Sequence, residues 1–146
     1  MEPIKQSKNV LLADDDDEDV LIFRNALRQL PIVVNLKHAR DGEMLFILLR
    51  QMIPDIIFLD INIPYKNGVA CVVDIRKNKK YDHVPIIMYT AIKGSKYVDE
   101  SYESGANFYM LKGESVVELA EKLKKIFSID WSTYVYYPPK SEFVIG

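Results

Sequence analysis

Five polar residues close runs that are otherwise apolar. Asp14 and Asp15 follow Val10 to Ala13, Asp60 follows Ile56 to Leu59, Thr90 follows Pro85 to Tyr89, and Lys112 follows Phe108 to Leu111. Three carboxylates brought into one crevice would repel one another, and at least one pKa would rise unless a cation intervened. A hard divalent ion answers this, and an incomplete set of oxygen ligands with room for water and phosphate is what Mg²⁺ prefers. Thr90 adds a neutral hydroxyl and Lys112 a mobile point charge. Together they describe a site for a phosphoryl group. Metal and lysine would neutralise charge on the transferring oxygens, while a carboxylate close to the ion would act as nucleophile and form an acyl phosphate.

The chemistry requires that these residues meet, and the intervening sequence says how. The runs Val10 to Ala13, Val33 to Leu36, Ile56 to Leu59, Pro85 to Tyr89 and Phe108 to Leu111 have strand length and near-continuous apolar character. Between them, Val20, Phe23, Leu27 and Leu30 recur at helical spacing, as do Met44, Leu45, Leu48 and Leu49, then Val69, Val72, Val73 and Arg76, then Val98 and Tyr102. A fifth helix opens at Ser115 with Glu118 three residues on and continues through Leu119, Leu123 and Ile126. Five strands alternating with five helices predict an α/β fold, a parallel sheet covered on both faces. In such a sheet the crevice beyond the carboxyl ends of the strands is the binding edge, and all five polar residues fall there. Gly105 reads as a helix stop, and Pro54 and Pro85 as strand starts.

The chain has 146 residues, 49% apolar and 27% charged, the balance of one soluble globular domain. A net charge of −2 gives no footprint for nucleic acid or an anionic membrane. The one cysteine, Cys71, has no disulfide partner and reads as a packed thiol. No apolar run is long enough to span a bilayer and residues 1–9 lack a signal-peptide core, so a cytoplasmic location is expected. The acidic block Asp14 to Asp19 joins an apolar run to a helical pattern, which assigns Asp16, Asp17 and Asp19 to the helix N-terminus and leaves Asp14 and Asp15 for metal. His38 and His83 read as solvated or locally bonded, and Asp41 as an N-cap.

The segments VLLADDDDEDV, DIIFLDINIPYKNG, PIIMYTA and GANFYMLK resemble, in order, the acidic-pair, phosphoacceptor, hydroxyl and lysine motifs of response regulator receiver domains. The resemblance covers roughly residues 8–127, leaving 128–146 as an aromatic extension. It implies a doubly wound, flavodoxin-like sheet of five strands in the order 2-1-3-4-5. It implies that Asp60 accepts the phosphoryl group from a histidine kinase or phosphotransfer protein. Asp15 would ligate Mg²⁺ (or Mn²⁺) directly and Asp14 through water, with Asp60 and the Asn62 carbonyl completing the protein's share. Thr90 and Lys112 would contact the phosphoryl oxygens, and Tyr109 would report the state of Thr90. The family's output surface, made by the fourth helix, fifth strand and fifth helix, implicates Tyr97, Val98, Tyr102 and Tyr109 in contacts with a downstream protein or second copy. Ordinary packing is the competing reading of the first three.

Two residues depart from the family pattern. Gly113 stands where a proline in a cis bond usually follows the lysine, so a trans bond is expected, with glycine's freedom shaping the loop. Ile92 stands where polar residues in relatives help position hydrolytic water. A dehalogenase-like phosphohydrolase would need a second aspartate where this chain has Asn62, a phosphate-binding loop of the G-x-x-x-x-G-K-[ST] type is missing, and a receiver-like module without phosphate remains the alternative. No output domain follows, so signalling is expected through a partner, a dimer or a relay. Trp131, Tyr134, Tyr136, Tyr137, Phe143 and Ile145 make the tail too apolar to be solvated: it either folds back on its own domain or forms an interface.

Overall fold

The computed structural model describes residues 7–113, 115–131 and 135–146. The strands are β1 (Ser7–Ala13), β2 (Val33–Ala39), β3 (Ile56–Leu59), β4 (Ile86–Thr90), β5 (Phe108–Leu111) and β6 (Val144–Ile145). The helices are α1 (Asp17–Leu27), α2 (Gly42–Gln51), α3 (Gly68–Lys77), α4 (Ser95–Ser104) and α5 (Val116–Phe127). All strand pairs are parallel, in the order β2-β1-β3-β4-β5-β6. The expected order holds, and a sixth strand extends it. No helix among the described residues is long and apolar enough to cross a membrane.

Two-residue alternation sorts the buried strand residues between two cores. Leu11, Ala13, Ile57, Leu59, Ile86, Met88 and Tyr109 join Leu45, Leu49, Cys71, Val72 and Ile75 on the α2–α3 side. Val10, Leu12, Ile56, Phe58, Ile87, Tyr89, Phe108 and Met110 join Val20, Phe23, Leu119, Leu123 and Ile126 on the α1–α5 side. Cys71 is fully buried, and desolvation pushes its thiol up to about 11, as suits a packed rather than reactive group.

The helix ends carry the expected signals. Asp16, Asp41 and Ser115 cap α1, α2 and α5 by accepting from the amides of Asp19, Met44 and Glu118. Gly105 ends α4 in the left-handed conformation at φ 104°. Gly68 opens α3 so close to β3 that an added Cβ would lie 2.3 Å from the carbonyl oxygen of Asp60.

The tail folds back, as the intramolecular reading of its aromatics requires. Val144 and Ile145 pair with Tyr109 and Met110, and the Tyr109 amide donates to the Phe143 carbonyl at 3.0 Å. Phe143 is fully buried between Tyr102 and Tyr109, with ring centroids at 5.1 and 6.3 Å. Its helical backbone (φ −68°, ψ −39°) breaks the alternation, so Phe143 enters one core and Ile145 the other. Asn107 donates to the Tyr136 carbonyl at 2.8 Å, and Lys140 pairs with Asp99 of α4, also at 2.8 Å. Trp131 is half-buried, its indole donating to the Ile126 carbonyl at 3.1 Å, while Tyr134 lies outside the described residues.

Phe143→Ala should therefore release the tail rather than hollow the core. Its cost is capped by the tail's own docking energy, about 1–3 kcal/mol, below the full value for a buried phenylalanine. Hydrogen exchange should quicken at the Tyr109 amide while the β1 and β3 amides stay protected.

Candidate functional site

The sheet register places the site. Ala13 pairs with Leu59 at the ends of β1 and β3, and the Asp60 amide donates to the Ala13 carbonyl at 2.9 Å, so Asp14 and Asp60 leave the sheet side by side. Thr90 pairs with Leu111, and the Lys112 amide donates to the Thr90 carbonyl at 2.9 Å, carrying the ladder one residue further. That bond fixes the Lys112 backbone without help from its neighbour. Gly113 is not in the left-handed region, contrary to the expectation that glycine's freedom shapes this loop, and no cis peptide bond occurs among the described residues.

Asp14 is fully buried, Asp60 nearly so, and Asp15 exposed. One carboxylate oxygen from each lies within 4.8 Å of the others. The Lys112 ammonium sits among the acidic side chains, 2.7 Å from Asp14 Oδ2, 2.7 Å from Asp60 Oδ2 and 2.8 Å from Asp19 Oδ2. Its directed hydrogen bonds go to Asp60 and Asp19, whereas the close approach to Asp14 Oδ2 is an ion contact without hydrogen-bond geometry. Desolvation raises the Asp14 pKa against the lowering effect of Lys112. Burial alone would lower the Lys112 pKa, but the contacts with Asp14, Asp19 and Asp60 outweigh it and the net shift is upward.

A divalent cation fits this donor set. It offers carboxylate oxygens only, and buried Asp14 Oδ2 still lacks a directed partner. The Asn62 backbone stands over the same carboxylate, its amide 3.4 Å from Asp60 Oδ1.

Thr90 is buried at the same strand end, its hydroxyl oxygen accepting from the Ile92 amide at 3.3 Å. Tyr109 points inward, fully buried, and its hydroxyl donates to the Ile92 carbonyl at 2.7 Å. Burial, then the Asp60 charge, pushes that phenol up to about 12. Tyr97, Val98 and Tyr102 pack partly buried against the α2–α3 core, as the packing reading has it.

Three features escaped the sequence reading. Asp19 was assigned to the helix N-terminus, yet its side chain turns to Lys112; only Asp16 caps α1, while exposed Asp17 pairs with Arg40. The Tyr89 ring lies beneath the Lys112 ammonium, 5.3 Å from centroid to nitrogen. His38 donates from Nε2 to the Asp14 carbonyl at 2.7 Å, fixing the backbone that carries the buried carboxylate. None has a local signal, because each spans elements distant in sequence.

Residues 10–124 match the family model of the response regulator receiver domain. The chain belongs to that family. Chemotaxis protein CheY-3 of Vibrio cholerae is 30% identical over 124 residues, covering 85% of this chain and 95% of its own. Response regulator Rcp1 of Synechocystis is 28% identical over 138 residues, covering 90% of this chain and 93% of its own. A crystal structure of Mn²⁺-bound Rcp1 superposes with a TM-score of 0.75 at 27% identity, covering 90% of this chain and 99% of that one. The phosphorylated cyanobacterial phytochrome response regulator RcpA superposes at 0.79 and 24% identity, covering 89% of this receiver and 98% of its own chain, which bears on the fold alone. The chain is a phosphoacceptor response regulator of two-component signalling.

Lys112 is the ammonium that offsets the crowded carboxylates among the described residues. Its pKa is raised, so its contribution is complete below the ordinary lysine value and is lost only as pH rises through the still higher folded value. Asp14 is also raised, so its protonated form favours folding and that contribution fades as pH rises through its folded pKa. Lys112→Ala should cost about 3 kcal/mol in neutral metal-free buffer, and less in acid, where Asp14 with its raised pKa is protonated. Millimolar Mg²⁺ should recover part of the loss in thermal melts and also raise the melting temperature of the wild-type chain.

Proposed function

We propose that the Asp60 carboxylate takes the phosphoryl group, and that the carboxylates of Asp14, Asp15 and Asp60 with the Asn62 carbonyl hold Mg²⁺ beside it. The observation that carries this reading is the convergence of three carboxylate oxygens within 4.8 Å beside one buried ammonium. The Mn²⁺-bound state of Rcp1 supports the same class of ion and allows Mn²⁺ here. When bound, the ion supplies positive charge against the phosphoryl oxygens. An Asp60 oxygen attacks phosphorus as the bond to the leaving group breaks, either the imidazole nitrogen of a phosphohistidine or the acetate oxygen of acetyl phosphate. No separate substrate is turned over, because the chain accepts the group on its own carboxylate and later loses it to water.

The donor would be a histidine kinase or a phosphotransfer protein. Thr90 and Lys112 would receive the phosphoryl oxygens, drawing the Thr90 hydroxyl from the Ile92 amide that it now accepts from. Tyr109 shares that loop through its bond to the Ile92 carbonyl, which supports its role as the switch. Residues 8–127 form the receiver unit in this reading and 128–146 its extension. The outward signal passes through the α4–β5–α5 face to a downstream protein or a second copy. There the tail is already seated on β5, so a partner either contacts the tail or displaces it. A cytoplasmic place accords with the reduced, buried thiol of Cys71.

Incubation with acetyl phosphate and Mg²⁺ should add one phosphoryl group by intact mass, and Asp60→Asn should take none because an amide is no anionic nucleophile. A full mass shift in that variant would remove Asp60 from the chemistry. Ile92 offers no side-chain hydrogen bond to an attacking water, so the phosphorylated chain should be long-lived. Ile92→Glu should shorten its lifetime about tenfold, less than a fully positioned base contributes.

A further inference from the structure

Asp19 lies outside the metal set and the phosphoryl contacts proposed above. It sits in the first turn of α1, where an acidic side chain would ordinarily face solvent and favour the helix N-terminus. Instead its Oδ2 accepts one of the two directed hydrogen bonds of the Lys112 ammonium, at 2.8 Å, and the side chain is only 27% exposed. The other directed bond goes to Asp60 at 2.7 Å. Asp14, Asp15 and Asp60 supply the converging oxygens that suit a cation, and Asp19 is not among them.

That division matters when the site is charged. Once Asp14 and Asp60 are engaged by a cation and a phosphoryl group, their oxygens are no longer free to hold the lysine. Asp19 is then the carboxylate in contact with Lys112 that keeps both lone pairs and negative charge for it. A lysine stem is flexible and its ammonium has no preferred plane, so its position depends on what it touches. From below, the Tyr89 ring limits it on the α1–α5 side. Gly113 follows in place of a ring that would stiffen the loop.

We propose that Asp19 is a positioning residue for phosphoryl transfer, a carboxylate outside the metal set that holds the Lys112 ammonium against the phosphoryl oxygens of Asp60. The role rests on the reading of Asp60 as phosphoacceptor. It is exerted through Lys112, so the two residues must be coupled in rate and not only in stability.

The test is a double-mutant cycle on the full chain with Asp19→Asn and Lys112→Ala, read in two ways. At saturating Mg²⁺, Asp19→Asn should slow phosphorylation by acetyl phosphate about tenfold, less than the loss of an oxyanion donor itself because the lysine is misplaced rather than removed. In the Lys112→Ala background the same change should have no further effect, and Asp19→Glu should restore part of the wild-type rate. Denaturant unfolding without metal provides the second reading, in which the pair should again be non-additive. An unchanged or faster rate in Asp19→Asn, or an equal slowing in both backgrounds, overturns the proposal. So does coupling in stability without coupling in rate, which would make the contact structural only. If the wild-type chain takes no phosphoryl group, the phosphoacceptor reading fails and this role with it. An intact stability coupling would then show that the contact exists and that the chemistry was misassigned.

Discussion

The site is organised around the need to keep like charges together without letting them ionise apart. Parallel strands deliver their carboxyl ends to one edge, so Asp14 and Asp60 are adjacent because β1 and β3 are, before any side chain interacts. Burial then makes each charge costly. Lys112 resolves the conflict by lying within 2.8 Å of three carboxylates, and the ladder bond to Thr90 holds its backbone where that is feasible. The arrangement is a neutralised cluster with its cation on a tether. A divalent ion held by Asp14, Asp15 and Asp60 would share two of those carboxylates with the lysine, which would tie metal binding, lysine position and the Asp60 carboxylate into one equilibrium.

The alternation of strands with helices and the five strand-end residues were legible because both depend on period, whereas the strand order came from the family resemblance. Apolar runs of strand length alternate with helical spacing, and the polar residue that ends each run is therefore forced to the same edge. What lay outside the sequence was contact between elements. Asp19 carries a first-turn signal that is correct for its backbone position and silent about its side chain. Arg76, at an apolar spacing in α3, donates to the Gly105 and Tyr81 carbonyls and to the Asn107 side chain, a hub that joins α3, the approach to β4 and the turn before β5. The sixth strand was hidden because Val144 and Ile145 are too few to show alternation, although the tail's aromatic content did announce that it would be covered. Gly113 misled in the other direction: its type suggests a special conformation, while the observed backbone there needs none.

The tail and Tyr109, the proposed switch, are in direct contact. The Tyr109 amide is bonded to Phe143, its ring packs on the Phe143 ring, and its hydroxyl reaches the loop after Thr90. Movement of Tyr109 thus changes both the environment of Thr90 and the seat of the tail. Asn107, two residues earlier, is fully buried and accepts from the Ile86 amide at 2.8 Å while donating to the Tyr136 carbonyl. The tail is therefore fastened at the entry of β5 as well as at Tyr109.

Adding β6 also changes what the sheet offers to its surroundings. Without it, β5 would end the sheet with an unpaired ladder rich in aromatic and aliphatic side chains, the template on which foreign strands stack and aggregates grow. With it, the terminal strand on that side is two residues long, too short to template much of anything. The opposite margin, β2, is longer but carries Asn35 and Lys37 on its exposed positions. Edge-to-edge polymerisation is thereby disfavoured on that side, and any partner that lifted the tail would have to shield the strand it uncovered.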